Sequence, residues 1–245
     1  MFKNRKILFH IITALVVIIW GTTFVSTKVL LQHGLGPMEI MFYRFVLAYL
    51  CILFISHKRM WADNWKDEGM LMLAGLTGGT LYFIAENTAL GITQASNVAL
   101  LVCTTPIFTA LFMHWFCKEP LRRNMMIGSL IALVGVGMVV FSGSVILQIN
   151  PLGDFLSIVA SMMWAFYCLV LKPLGRRYPT AFITRKVFLY GILSLLVCFL
   201  FNPLQIKTDI LFQPVVALNL LFLGVVASMI GAVCIIGGVY LAEKN

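Results

Sequence analysis

Glu86 is the residue whose setting most demands a chemical explanation. It stands in Tyr82-Phe83-Ile84-Ala85-Glu86-Asn87-Thr88, a carboxylate inside an otherwise apolar stretch. A carboxylate so placed binds an ammonium group, carries a proton or forms an ion pair. Lys28 and Arg44, each also within an apolar stretch, are the cations that could complete such a pair. Arg44 alternatively offers a planar fork suited to a carboxylate, and either side chain could extend its head towards water from the end of an apolar helix. Tyr82, four residues before Glu86, and Asn87, one after it, are expected near the carboxylate. Trp20 and Trp164 lie deep in two other apolar stretches, where they wall a cavity or fill a core. Pro106 interrupts a further stretch and removes one backbone donor. No phosphate-cradling glycine loop, HExxH pattern or nucleophile elbow is present. His10, His33, His57 and His114 lack ligand spacing, and the six cysteines form no CxxC. The expectation is binding of a small charged molecule, with no catalytic residue, metal or cofactor.

The elements that hold these residues follow from composition. The 245 residues are 61% hydrophobic and 11% charged, with mean hydropathy +0.98. A water-soluble domain carries about 45–50% apolar and about 25% charged residues, so the surrounding solvent must be lipid. A crossing helix needs about 20 apolar residues. Eight segments qualify, at 9–30, 38–56, 69–90, 95–115, 125–141, 153–171, a shorter 187–201 and a long 215–241. Nothing alternates in polarity as barrel strands would. With the N-terminus inside, fifteen of the 18 Lys and Arg fall in inner segments and only Lys207 in an outer loop. The excess is an orientation signal that places both termini in the cytoplasm. It is not a nucleic-acid footprint.

Three spacings recur in order along the chain. Trp20 to Lys28 and Trp164 to Lys172 are each eight residues apart. Pro37 to Arg44 and Pro179 to Lys186 are seven, as are Gly128 to Gly135 and Gly231 to Gly238. These predict two units, 1–143 and 150–245. Five helices in the first unit reverse the direction of the second, which makes the pair inverted, as in many secondary transporters. Gly75 precedes Gly128 by 53 residues, whereas its counterpart Gly224 precedes Gly231 by only 7. About two crossings are therefore missing from the second unit.

Trp20-Gly21-Thr22-Thr23-Phe24, Arg44-Phe45, Ala95-Ser96-Asn97, Thr105-Pro106 and Glu119-Pro120 resemble the EamA-type drug/metabolite transporter superfamily. The resemblance implies an all-α membrane fold derived from two inverted five-helix repeats, with a central cavity for small metabolites, commonly amino acids moved outward. The resulting expectation is a bacterial inner-membrane permease working by alternating access without ATP. Its candidate residues are Glu86, Arg44, Trp20, Tyr82, Asn87, Trp164 and Lys28, with Pro106 as a helix break. The partners expected are a small-molecule metabolite, the bilayer and, as an option left open, a second copy of the chain. A non-transporting truncated member and a membrane scaffold or lipid-handling protein are the competing readings.

Overall fold

The computed structural model describes residues 2–57, 60–142 and 150–230, and all regular structure among them is helical. The first two rods are α1 (Phe2–Gln32) and α2 (Pro37–Ile55). The third comprises α3 (Trp65–Ala74), a π-helical segment Gly75–Leu81 and α4 (Tyr82–Ile92). The fourth is broken into α5 (Ala95–Val102) and α6 (Thr105–Cys117). There follow α7 (Arg123–Ser142), α8 (Pro151–Gly175), α9 (Thr180–Phe201), the single turn α10 (Thr208–Leu211), and α11 (Pro214–Leu221), which continues as a π-helical segment Phe222–Ile230. Six rods are long and apolar enough to cross a bilayer, and Arg123–Met138 and Pro214–Ser228 are shorter apolar helices. This is an all-α membrane protein of about eight helices, the architecture whose backbone hydrogen bonds are made within each segment.

The helix starts are written in local chemistry. Pro37 opens α2, where the Glu39 carboxylate accepts from the Gly36 N–H at 2.8 Å. Asn64 caps α3 by accepting from the Asp67 N–H at 2.8 Å. Asn150 caps α8, its side chain accepting from the Gly153 N–H at 3.1 Å. One Asp154 carboxylate oxygen is buried without a hydrogen bond. The seventh rod begins at Thr180 rather than 187. Arg185 and Lys186 interrupt the apolar run but are themselves buried within α9, so a boundary set by hydropathy falls a full two turns late. Gly231, Gly238 and the remainder of the last segment lie outside the described residues.

The core sits where α8 and α9 pack on the third rod and α2 packs on α9. At the end where α3 begins, Leu71, Ala74, Val170, Leu174 and Phe182 are buried together. Phe45, Phe188 and Leu195 fill the α2–α9 contact. Two glycines allow backbones to touch. A Cβ on Gly75 would lie 2.6 Å from the Tyr190 Cβ and 3.0 Å from the Val187 carbonyl of α9. One on Gly224 would lie 2.7 Å from the Leu47 Cβ and 3.1 Å from the Arg44 carbonyl of α2. A Cβ on Gly128 or Gly135 would meet open space. Exposed side chains such as Phe54, Val134, Met138 and Leu200 are apolar, as a lipid-facing surface requires.

Candidate functional site

Glu86 lies six residues inside the end of α4, only 5% exposed. One helical turn earlier, the Tyr82 hydroxyl donates to Glu86 Oε1 at 2.6 Å. Spacing of four places both on one face. Facing them on α2, seven residues from its start, is the buried guanidinium of Arg44. Arg44 Nε donates to Ser228 Oγ at 2.5 Å, and its guanidinium carbon sits 4.4 Å from the centroid of the Phe83 ring. Arg44 and Glu86 thus stand on two helices, α2 and α4, that pack together. Among the described residues, however, no ion pair within 4.0 Å joins Glu86 to Arg44 or Lys28. Each charge instead makes a hydrogen bond with a neutral hydroxyl.

The two tryptophans that share a spacing to a lysine meet. Trp20 and Trp164 pack edge to face with centroids 5.7 Å apart, and Trp164 lies 4.9 Å from Tyr82. The Trp20 indole donates to the Ala227 carbonyl at 3.1 Å, within the second π-helical segment. A π turn leaves carbonyls out of the regular ladder, and this one is taken by a side chain from α1. An unbroken aromatic run, Trp20–Trp164–Tyr82, thus leads to the carboxylate.

The remaining candidates lie apart. Asn87 does not share the Glu86 face. One residue on is about 100° around the helix, and its Nδ2 donates to the Pro37 carbonyl at 3.1 Å, while its buried Oδ1 has no hydrogen bond. The Lys28 ammonium donates to the carbonyls of Leu90 and Thr93 at 2.5 and 2.9 Å. It closes the C-terminus of α4, where orphan carbonyls and the negative dipole end both favour a cation. Pro106 falls in the first turn of α6, just after the break at 103–104. The freed carbonyls there are occupied: Thr104 and Ser161 donate to Leu101 at 2.6 and 3.3 Å, and Thr105 to Val102 at 2.6 Å.

A second charged cluster was not foreseen. In the first turn of α3, Asp67 accepts from Arg177 Nη1 at 2.8 Å and from the Tyr178 hydroxyl at 2.7 Å. Next to it, Glu68 pairs with Lys186 and accepts from the Tyr190 hydroxyl and from the Ala62 N–H, the last at 2.8 Å. Lys186 lies 4.4 Å from the Trp61 ring centroid. The available signal was the spacing that equates Lys186 with Arg44, together with two acidic residues in one helical first turn. Lys172, eight residues after Trp164 as Lys28 is after Trp20, pairs with Glu119 beyond the end of α6.

Nothing in these groupings is a nucleophile with its base, and no metal-ligating cluster occurs among the described residues. The arrangement is one of opposite charges and aromatic faces on membrane-crossing helices. Residues 7–141 match the model of the EamA-like transporter family. The chain belongs to that family. An uncharacterized transporter of Clostridium kluyveri is 25% identical over 94% of this chain and 76% of its own length. One from Archaeoglobus fulgidus is 28% identical over 90% and 76%. A probable amino-acid metabolite efflux pump of Salmonella typhimurium is 25% identical over 89% and 73%. A crystal structure with 17% identity superposes with TM-score 0.68, over 95% of this chain and 83% of that one, which extends the likeness to the fold. As an EamA-like protein the chain is a membrane transporter of small metabolites. The family match ends before α8, so the placing of Trp164, Lys186 and Ser228 beside these groups rests on the geometry and not on the family match.

Proposed function

We propose that the chain is a permease that exports small amino-acid-like metabolites by alternating access, without ATP and without covalent chemistry. The observation that carries this reading is the pairing of Glu86 and Arg44. Both charges are buried on helices that pack together, and each rests on a hydroxyl, Tyr82 or Ser228, rather than on the other. A zwitterion can replace both hydroxyls at once, its ammonium taken by Glu86 and its carboxylate by the Arg44 fork. Trp20 and Trp164 supply faces that attract the ammonium further and accept an apolar side chain.

The close approaches at Gly75 and Gly224 support two inverted units, 1–143 and 150–245, with the second shortened. In a bacterial inner membrane, where we place the chain, the distribution of Lys and Arg supports an orientation with both termini cytoplasmic. The printed role of the Salmonella relative supports the substrate class and the outward direction.

The test is release of a mixed amino-acid pool from proteoliposomes containing the chain or its Glu86→Gln variant. Release of a defined subset, weakened by the substitution, is the expected result. No release above empty liposomes would instead identify a membrane-inserted member that does not transport. Release indifferent to Glu86→Gln would remove Glu86 from the site.

A further inference from the structure

Asp67 and Glu68 together exceed what the start of α3 requires. Asn64 already caps the helix, and one acidic residue in the first turn suffices to complement its dipole. Yet Glu68 is only 6% exposed and its partner Lys186 only 1%. A buried ion pair contributes little net stability over an apolar pair of the same volume, because desolvation offsets the attraction. It is therefore a weak fastener. The same cancellation makes it a suitable latch: dry and paired, or parted with both charges hydrated, the two states differ little in free energy. Leaving one charge buried alone is costly.

The pairs lie where a latch would act. Asp67 and Glu68 belong to the third rod, while Arg177 and Lys186 belong to the α8–α9 turn and to α9. Between this cluster and Glu86 runs the packed interface of Leu71, Ala74, Tyr167 and Val170, which ends at Trp164 beside Tyr82. These packed elements stand between Glu86 and the end of the bundle where α3 begins. The two ends also differ in state. Lys186 is paired with a carboxylate, whereas its repeat counterpart Arg44 rests on Ser228 with no ion pair to Glu86.

We propose that the Glu68–Lys186 and Asp67–Arg177 pairs are the closure of this end of the bundle, and that they part each time the Glu86 site opens there. The proposal rests on the alternating-access reading above, and it assigns Glu68 and Lys186 as positioning residues rather than substrate ligands.

Cys168 on α8 packs against the interface just behind the latch, so it serves as the reporter in a variant whose other cysteines are replaced by Ser. A membrane-impermeant maleimide is applied to vesicles of each orientation. Glu68→Gln leaves Lys186 without a counter-charge when dry and should raise the labelling rate of Cys168 about tenfold or more, from the α3-start side only. Lys186→Met should do the same, which keeps the test open if Glu68→Gln does not fold. The exchanged pair Glu68→Lys/Lys186→Glu should return labelling towards the parent rate. Unchanged labelling in both single variants overturns the latch, as does a rise equal from both sides. Increased one-sided labelling in a chain that releases nothing from proteoliposomes would keep the latch and reject the carrier. Release with unchanged labelling would do the reverse.

Discussion

Gly75 and Gly224 make the same crossing on different helices. Each lies in or beside a π-helical segment and brings its rod onto the backbone of another, Gly75 at the Val187 carbonyl and Gly224 at the Arg44 carbonyl. Arg44 and Lys186, which share a spacing from Pro37 and Pro179, thus flank equivalent contacts. A methyl group at either glycine meets a neighbouring Cβ below 3 Å with backbone behind it, so relief requires the helices to separate. Gly75→Ala and Gly224→Ala should each destabilise by about 1–3 kcal/mol, read as a lowered thermal midpoint in detergent. Gly128→Ala, with nothing within 4 Å, should leave the midpoint unchanged or raise it slightly.

At the site, charge should matter more than the hydroxyl that supports it. Losing a charged hydrogen-bond partner costs about 1.5–3 kcal/mol, against about 1 kcal/mol for a neutral one. Glu86→Gln is thus expected to slow the initial rate of amino-acid release by about tenfold or more. Tyr82→Phe, which removes only the 2.6 Å bond to the carboxylate, should slow it about fivefold. Equal effects in the two variants would mean that Tyr82 contacts the substrate itself.

Much of this was legible in the residue order. Apolar runs located the rods, since lipid admits only helices whose backbone is internally satisfied. Trp20 and Trp164 could be read only as cavity wall or core, and their pairing at 5.7 Å is a tertiary fact that no spacing in the sequence specifies. Helix periodicity placed Tyr82 on the Glu86 face, and disregard of it misplaced Asn87. The Glu68–Lys186 pair stayed hidden because hydropathy scores each charge as an exit from the membrane. Only the tertiary partner makes burial tolerable, and that partner lies 118 residues away. The π-helical segments were equally invisible, because a glycine-rich run such as Gly75 to Gly79 reads as a packing face whatever its hydrogen-bond register.

Tyr178 ties the loop before α3 to the α8–α9 turn. Its oxygen accepts from the Asp63 N–H at 3.0 Å and donates to Asp67 at 2.7 Å. Burial first, and then the adjacent Asp67 carboxylate, hold the phenol above its ordinary value. A raised phenol binds its proton more tightly when folded, so its contribution is complete below about pH 10 and is lost only as pH rises beyond. Tyr178→Phe should therefore lower the thermal midpoint by a few degrees, for a cost of about 1–2 kcal/mol. The decrement should be the same at about pH 6 and pH 9. A decrement that shrinks towards pH 9 would show that the hydroxyl has already ionised.

Lys28 supplies the sharpest separation between holding the fold and binding the cargo. Its ammonium closes α4 through the carbonyls of Leu90 and Thr93 and makes no pair with Glu86. Lys28→Met keeps the length and apolar stem of the side chain but leaves both carbonyls short of a donor, at a cost of about 1–3 kcal/mol. The thermal midpoint should fall accordingly, while the KM for amino-acid release at a permissive temperature stays at the parent value. Arg44→Met should do the opposite, raising KM or abolishing release, because the lost group is the one proposed to take the substrate carboxylate. A raised KM in Lys28→Met with an unchanged midpoint would move Lys28 into the binding site and require α1 to turn as the transporter cycles.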